Sequence, residues 1–138
     1  MTLTLLVVDD HPSVRRLLEL IATEDARVGS CVTAGSGEAA VQLARDHQPD
    51  VIVLDADLGS QDGLALIPTL RAAALGVSIA VFSSDAYVSA DVAQRAGADL
   101  FVPKGTDLDE LMDLLAALPG ADRTIELRDP TDALTRPS

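Results

Sequence analysis

Short apolar runs alternate with longer amphipathic stretches along this chain. Four continuous runs rich in Leu, Val and Ile cover residues 3–8, 51–54, 77–82 and 99–102, and a weaker one covers 27–34. Such runs are typical of strands buried on both faces of a parallel sheet, and the stretches between them are typical of helices. The pattern predicts five β-α units that form a doubly wound α/β fold with a five-stranded parallel sheet.

Local signals indicate where the first three helices begin. The first begins near Pro12, because proline suits a first helical turn. The second follows Ser36 as its N-cap and runs to about His47. The third follows residues 62–63 and contains Pro68, so its first turn is irregular or it begins later. The first helix is expected to bury an apolar face made of Val14, Leu17, Leu18 and Ile21.

The last two helices have weaker signals. The fourth covers residues 85–96 and ends at Gly97. The fifth follows Thr106, with Asp109 three residues later as a variant of the capping box. The last strand contains Pro103, which lacks a backbone donor and therefore predicts an edge position. The fifth helix is expected to bury Leu108, Leu111, Met112, Leu114 and Leu115.

The length and composition are those of one globular domain. The chain has 138 residues, of which 48% are hydrophobic. It has only three aromatic residues, so the core must be built from Leu, Val, Ile and Ala. Residues 119–138 are rich in turn formers and are too short for a second domain. We predict a single domain at residues 1–118, followed by a C-terminal tail or linker stub at 119–138.

The charge and the single cysteine exclude several classes of function. The formal net charge is −12, with no basic stripe, which argues against direct nucleic-acid binding. Cys31 is the only cysteine, so no disulfide can form within the chain. We see no leader pattern and no apolar stretch long enough to span a membrane. The expectation is a soluble cytoplasmic protein that does not associate with membranes.

Polar residues stand where four of the apolar runs end. Asp9-Asp10, Asp55, Ser83 and Lys104, the only lysine, follow or close these runs. Each of these residues alone is weak evidence for a ligand site, because acidic and hydroxyl residues often cap turns. Together they would meet at the carboxyl edge of a parallel sheet, where open α/β folds bind ligands. Clustered carboxylates repel one another unless a cation neutralises them, and oxygen ligands of this kind suit Mg²⁺.

This ordered set resembles the receiver domain of bacterial response regulators, the phosphoacceptor domain of two-component signalling. The resemblance covers about residues 3–118 and implies a flavodoxin-like fold with strand order 2-1-3-4-5. The matching features, in chain order, are Asp9-Asp10, Asp55 after an apolar strand, Asp62-Gly63, Ser83 closing the fourth strand, Ala96-Gly97-Ala98, Phe101 and Lys104.

The resemblance implies a role for each carboxylate. Asp55 would be the phosphoacceptor, and Asp10 and Asp55 would ligate Mg²⁺. The backbone carbonyl of Asp57 would be a third protein ligand, and Asp9 would act directly or through water. Phosphoryl transfer requires the protein mainly to position the reacting groups and to neutralise charge, which these residue types can do.

The same resemblance implies the switch and the partners. Ser83 and Lys104 would bind the phosphoryl group, and Phe101 would be an aromatic switch that moves inward with Ser83. The phosphoryl donor would be a histidine kinase or a phosphotransfer protein. Output would pass through the face formed by the fourth helix, the fifth strand and the fifth helix, which could also form a homodimer.

Several positions depart from the family pattern. Gly105, rather than proline, follows the conserved lysine, and Gly59 stands where proline is frequent, which is expected to loosen the loop after Asp55. Asp57 adds a carboxylate whose side chain we expect to face solvent; the alternative is that it alters metal affinity or the lifetime of the phosphoryl group. We interpret His11 as a helix-start residue rather than as a metal ligand or phosphotransfer residue, and Cys31 as a small buried hydrophobe.

Two other functions remain open from the sequence. Asp55-Ala56-Asp57 resembles the Asp-x-Asp signature of haloacid-dehalogenase-type phosphatases, although that signature normally lies on the first strand. Turnover of a small phosphomonoester would support this enzyme. The altered lysine loop also allows an interaction module that keeps the fold without using phosphorylation, which predicts no response to a phosphoryl donor.

Overall fold

A five-stranded parallel sheet forms the centre of the molecule. The computed structural model describes residues 2–122. The sheet strands are β1 (Leu3–Val8), β2 (Val28–Ala34), β3 (Val51–Leu54), β4 (Ser78–Ser83) and β5 (Leu100–Pro103). They lie in the order β2-β1-β3-β4-β5, and every neighbouring pair is parallel. This confirms the predicted order 2-1-3-4-5 and places Pro103 on an edge strand.

Within residues 2–122, five α-helices connect and follow the strands. They are α1 (Pro12–Glu24), α2 (Gly37–His47), α3 (Ile67–Ala73), α4 (Ala90–Arg95) and α5 (Leu108–Ala116). Ser36 caps α2 by accepting a hydrogen bond from the Ala39 N–H, as predicted. The third helix does begin late: a 3₁₀ turn at Gly63–Leu66 precedes α3, and Pro68 lies in its first turn.

Alternate residues of each strand supply two separate cores. Leu6, Ile52 and Ile79 point to the face covered by α2, α3 and α4. Leu5 and Val53 point to the opposite face, covered by α1 and α5. A strand buried on both faces needs apolar residues at every position, which explains the continuous runs in the sequence.

The starts of the last two helices differ from the prediction. The helix expected from Asp85 begins only at Ala90, because Asp85 Oδ1 accepts the Tyr87 N–H at 2.8 Å and stabilises a turn. The cap of α5 is Asp107, whose Oδ1 accepts the Asp109 N–H at 3.0 Å. The proposed capping box at Thr106 is therefore wrong, since a short carboxylate one residue later reaches the same helix start.

Two leucines expected in the core are partly exposed instead. Leu17 of α1 is 47% exposed and Leu114 of α5 is 37% exposed. The side of α1 that packs on the sheet includes Val14, Leu18 and Ile21. Leu17 lies about 100° around the helix from Leu18, which turns it away from the sheet. The apolar stripe was therefore assigned too broadly on both helices.

Residues just past the predicted domain end at residue 118 contact the sheet. Residues Pro119–Asp122 form a 3₁₀ turn. The Gly120 N–H donates a buried 2.7 Å hydrogen bond to Ser78 Oγ at the start of β4. A Cβ on Gly120 would lie 2.1 Å from the Asp50 carbonyl oxygen, so only glycine fits there. The rest of the predicted tail, residues 123–138, lies outside the described residues.

Truncation after Leu118 is expected to destabilise the domain relative to truncation after Asp122. The shorter chain loses the partner of the buried Ser78 hydroxyl, which costs about 1–3 kcal/mol. Urea unfolding of the two truncated chains measures the difference. Equal midpoints would mean that the domain ends at residue 118, as the sequence alone predicts.

Candidate functional site

Backbone hydrogen bonds bring the polar strand ends together. The Asp55 N–H donates to the Val8 carbonyl oxygen at 2.9 Å, and the Lys104 N–H donates to the Ser83 carbonyl oxygen at 3.0 Å. The N–H of Asp9 likewise donates to the last residue of β2. Each bond extends a strand pair by one residue, so the side chains that follow the strands leave the same edge of the sheet.

Lys104 forms ion pairs with two buried carboxylates at this edge. Its Nζ lies 2.8 Å from Asp9 Oδ2 and 3.0 Å from Asp55 Oδ2. The side chains of Asp9 and Asp55 are only 2% and 3% exposed. Buried carboxylates need such a partner, because burial disfavours their charged form. The structure therefore places the single lysine between two of the sequence-predicted acids.

The pKa values of these groups shift in different directions. Burial raises the pKa of Asp55, only partly offset by the Asp57 N–H and by Lys104. Burial acts the same way on Asp9, but hydrogen bonds from Lys104 and His11 outweigh it and lower its pKa. The pKa of Lys104 is raised, since its two carboxylate partners outweigh burial. Asp9 is thus the firmly ionised partner, and Asp55 carries the less stable charge.

Asp10 and His11 complete the cluster. His11 Nδ1 lies 2.9 Å from Asp9 Oδ1 and 3.1 Å from Asp10 Oδ1. The hydrogen bond to Asp9, and next the charge of Asp10, raise the pKa of His11. Asp10 Oδ1 is buried and accepts no hydrogen bond from any residue between 2 and 122. One donor atom from each of Asp9, Asp10, His11 and Asp55 lies within 4.8 Å of the others, a group that could hold a metal ion.

The loop after Asp55 contains secondary structure that the sequence analysis did not predict. Asp57–Leu58 and Gln61–Asp62 form a small antiparallel hairpin. Gly59 opens its two-residue turn at φ 68°, a value that suits glycine and that proline cannot adopt. The Asp57 N–H donates to Asp55 Oδ1 at 3.0 Å, while the Asp57 side chain is exposed, as expected. That side chain is outside the four-residue group.

The two predicted switch residues lie on neighbouring strands. Ser83 is buried at the end of β4, and its Oγ accepts the Asp85 N–H at 3.0 Å. Phe101 of β5 is half-buried and lines a surface cavity together with Ala90 and Gln94 of α4. Phe101 therefore has space on the α4 side, as an aromatic residue that changes position would need.

Gly63 fixes the backbone that carries Asp55. A Cβ at Gly63 would lie 2.0 Å from the Asp55 carbonyl oxygen, and the Gly63 N–H donates to the Ala56 carbonyl at 2.8 Å. Replacement by alanine must therefore displace the chain at Asp55.

We expect Gly63→Ala to destabilise the domain by about 3 kcal/mol and to weaken divalent-metal binding. Gly105→Ala is the matched control, since a Cβ there meets nothing within 4 Å. Thermal unfolding with and without metal measures both effects. Equal melting temperatures for the two variants would contradict the close approach at Gly63.

A family model described as the response regulator receiver domain matches residues 5–116. The chain belongs to this family. The receiver domain also aligns with the transcriptional regulatory protein KdpE of Mycobacterium tuberculosis, at 36% identity over 98% of this chain and 60% of that protein. It aligns with a protein-glutamate methylesterase/protein-glutamine glutaminase of Azospirillum brasilense at 36% identity, over 77% of this chain and 28% of that protein.

A solved structure agrees with this assignment. NtrX from Brucella abortus, crystallised in complex with ADP, superposes with a TM-score of 0.77 and 27% identity, over 97% of this chain and 29% of that one. The receiver domain thus spans less than two thirds of the length of each of these relatives. One of them is a transcriptional regulator and another is named as an enzyme, so the family does not fix an output.

The sequence missed one member of the site. His11 does precede α1 as its N-cap residue, as interpreted, but its ring makes no capping hydrogen bond and faces the acids instead. The signal was present, because Asp9, Asp10 and His11 are consecutive residues after a strand. The match to the receiver family also favours the receiver interpretation over a haloacid-dehalogenase-type phosphatase.

Proposed function

We propose that this receiver domain accepts a phosphoryl group on Asp55 from a histidine kinase or phosphotransfer protein, with Mg²⁺ bound at the acidic cluster. The observation that carries the proposal is the contact of Lys104 Nζ with both Asp9 and Asp55. It holds the acceptor carboxylate beside a fixed ammonium group. Charge that develops on a transferred phosphoryl group would be stabilised at that position.

The residues present fit a hard divalent cation. Asp9, Asp10 and Asp55 supply oxygen donors, and Asp10 Oδ1 is buried without a hydrogen bond from residues 2–122. A bound cation would give that oxygen a partner, and a buried oxygen without a partner is energetically unfavourable. We assign Asp10 and Asp55 as ligands, with Asp9 direct or through water and the Asp57 carbonyl as a further ligand. Mg²⁺ bound there would neutralise charge on the phosphoryl oxygens.

The protein's part in the transfer is positioning. An oxygen of Asp55 attacks phosphorus, the bond from phosphorus to the donor nitrogen breaks, and the electron pair leaves with the donor imidazole. Lys104 can then exchange its contact with Asp55 for a phosphoryl oxygen without leaving Asp9. The Ser83 hydroxyl can donate to another phosphoryl oxygen. Movement of Ser83 would draw Phe101 inward and change the surface around α4 and β5.

A small phosphodonor tests this function. We expect acetyl phosphate with Mg²⁺ to add the mass of one phosphoryl group, in a bond that hydroxylamine cleaves because it is an acyl phosphate. Chelation of the metal should prevent the gain. Beryllofluoride should shift NMR signals of Phe101 and α4. An unchanged mass together with an unchanged spectrum would instead support the phosphorylation-independent interaction module, and turnover of a phosphomonoester would support the phosphatase.

Partner and location follow from the same proposal. A homodimer through the face formed by α4, β5 and α5 is expected only with the phosphorylated form, and light scattering with beryllofluoride would detect it. Between residues 2 and 122, no helix is long and apolar enough to cross a bilayer. A cytoplasmic location, where a kinase would meet the domain, and the absence of nucleic-acid binding stay predictions.

A further inference from the structure

One donor in the acidic cluster is a nitrogen rather than an oxygen. His11 Nδ1 lies 2.9 Å from Asp9 Oδ1, 3.1 Å from Asp10 Oδ1 and 3.9 Å from Asp55 Oδ2. Adjacent ligands of a six-coordinate ion with bonds of about 2.1 Å are roughly 3 Å apart. The first two separations match that spacing before any ion is bound.

The backbone, rather than helix capping, determines where this ring points. His11 is the N-cap residue of α1, yet its side chain makes no capping bond. Its own N–H donates to Asp9 Oδ1 at 2.9 Å, which folds the chain back over the carboxylates. The ring is 61% exposed, so its position over the cluster does not result from burial in the core. Its contacts are with the acids of the site, among them the otherwise unsatisfied Asp10 Oδ1.

Donor type decides which metal a site prefers. Mg²⁺ favours an all-oxygen set and keeps several waters, whereas imidazole nitrogen is a preferred ligand of Zn²⁺ and other late first-row ions. We infer that His11 makes this a mixed nitrogen–oxygen site that selects a zinc-like divalent ion over Mg²⁺ more strongly than the carboxylates alone would. The inference rests on the proposed metal-dependent phosphoacceptor site and names a specificity-determining residue within it.

A different arrangement would leave the same distances. The ring could act only as a counter-charge to Asp9 and Asp10 and move away when a metal ion binds. The two arrangements differ in whether the His11 nitrogen is bonded to the ion. They also differ in selectivity, because a displaced ring affects all divalent ions alike, whereas a ligating ring affects mainly the ions that favour nitrogen.

The test compares Zn²⁺ and Mg²⁺ in the untagged protein and two variants. His11→Ala removes the nitrogen donor, and His47→Ala is the matched control, because the chain has only two histidines. His47 is the last residue of α2, outside the four-residue group. Calorimetry at about pH 8 measures both affinities, since metal ions compete with protons for imidazole. Long-range ¹H–¹⁵N spectra of the two rings report coordination directly.

We expect Zn²⁺ to shift the His11 ring nitrogen and Mg²⁺ to leave it unbonded. His11→Ala should lower Zn²⁺ affinity at least about tenfold while changing Mg²⁺ affinity little, and His47→Ala should match the unsubstituted protein. Equal changes for both metals, or an unshifted His11 ring with Zn²⁺, would overturn the inference. Phosphorylation with acetyl phosphate and Mg²⁺ is followed separately, so the proposed function can stand or fall independently.

Discussion

Replacement of Asp55 by asparagine is expected to abolish phosphorylation by acetyl phosphate. Asparagine keeps the size of the side chain and can still accept the Asp57 N–H, but its amide is not a nucleophile at neutral pH. Intact mass spectrometry with Mg²⁺ measures the result as complete loss of the phosphoryl increment. Asp57→Asn is the matched control, because it makes the same chemical change two residues away on an exposed side chain.

The same substitution should leave the fold intact and raise its stability at neutral pH. The pKa of Asp55 is raised in the folded protein, so its charged form is less favourable there than in the unfolded chain. The neutral side chain removes that cost, which is typical of residues selected for function rather than stability. A phosphoryl increment that persists in Asp55→Asn would place the acceptor elsewhere. A lower melting temperature would contradict the electrostatic interpretation.

Replacement of Lys104 by methionine is expected to cost about 3 kcal/mol of stability without metal and to block the phosphorylation-dependent change. Methionine keeps the apolar stem of the side chain but leaves Asp9 and Asp55 facing each other without their ammonium partner. Chemical unfolding measures the loss. Mg²⁺ should restore more stability in this variant than in the parent protein, because the cation then replaces the missing positive charge.

Arg95→Met is the control for loss of a positive charge. Arg95 pairs with Asp91 at 3.2 Å, but both side chains are largely exposed. Such surface pairs contribute about 0–1 kcal/mol, so this variant should unfold almost like the parent. Equal losses in the two variants would show that net charge, rather than the buried contact, controls stability.

The dependence on pH follows from the direction of three shifts. The pKa of Lys104 is raised above its ordinary 10.5, so its contribution is complete below that value and is lost as pH rises through the folded pKa. The pKa of Asp9 is lowered below 3.8, so its contribution is present above that value and is lost as pH falls through the folded pKa. Lys104 also contacts Asp55, whose pKa is raised by burial, so that part of the contribution is lost as pH falls through this raised value. The difference between parent and Lys104→Met should therefore be largest above the folded pKa of Asp55 and below that of Lys104.

Much of the fold could be predicted from the sequence because strand burial leaves a one-dimensional signal. The predicted run at residues 51–54 has the same first and last residues as β3, and Ser36 marks the start of α2. The late start of α3 also followed from a single residue, Pro68. These features depend on neighbours in the chain, and local steric and hydrogen-bonding preferences are the same in any context.

Where several local choices compete, the sequence was less informative. Asp107 and Thr106 can both cap a helix, and Asp85 can begin a helix or hold a turn. The exposure of Leu17 depends on how α1 rotates against the sheet, which is a property of packing. The conformation of Gly59 also depends on the tertiary structure, because its positive φ belongs to the turn of a hairpin formed by two very short strands.

By itself, the sequence determined that Asp9, Asp55, Ser83 and Lys104 stand at strand ends, because apolar runs stop there and parallel strands share an edge. Only the tertiary structure decided which of them touch. Lys104 bonds both buried acids, and the His11 ring turns from its helix onto the same cluster. Contacts between residues far apart in the chain depend on strand register and side-chain direction, and those are set only when the strands pack together.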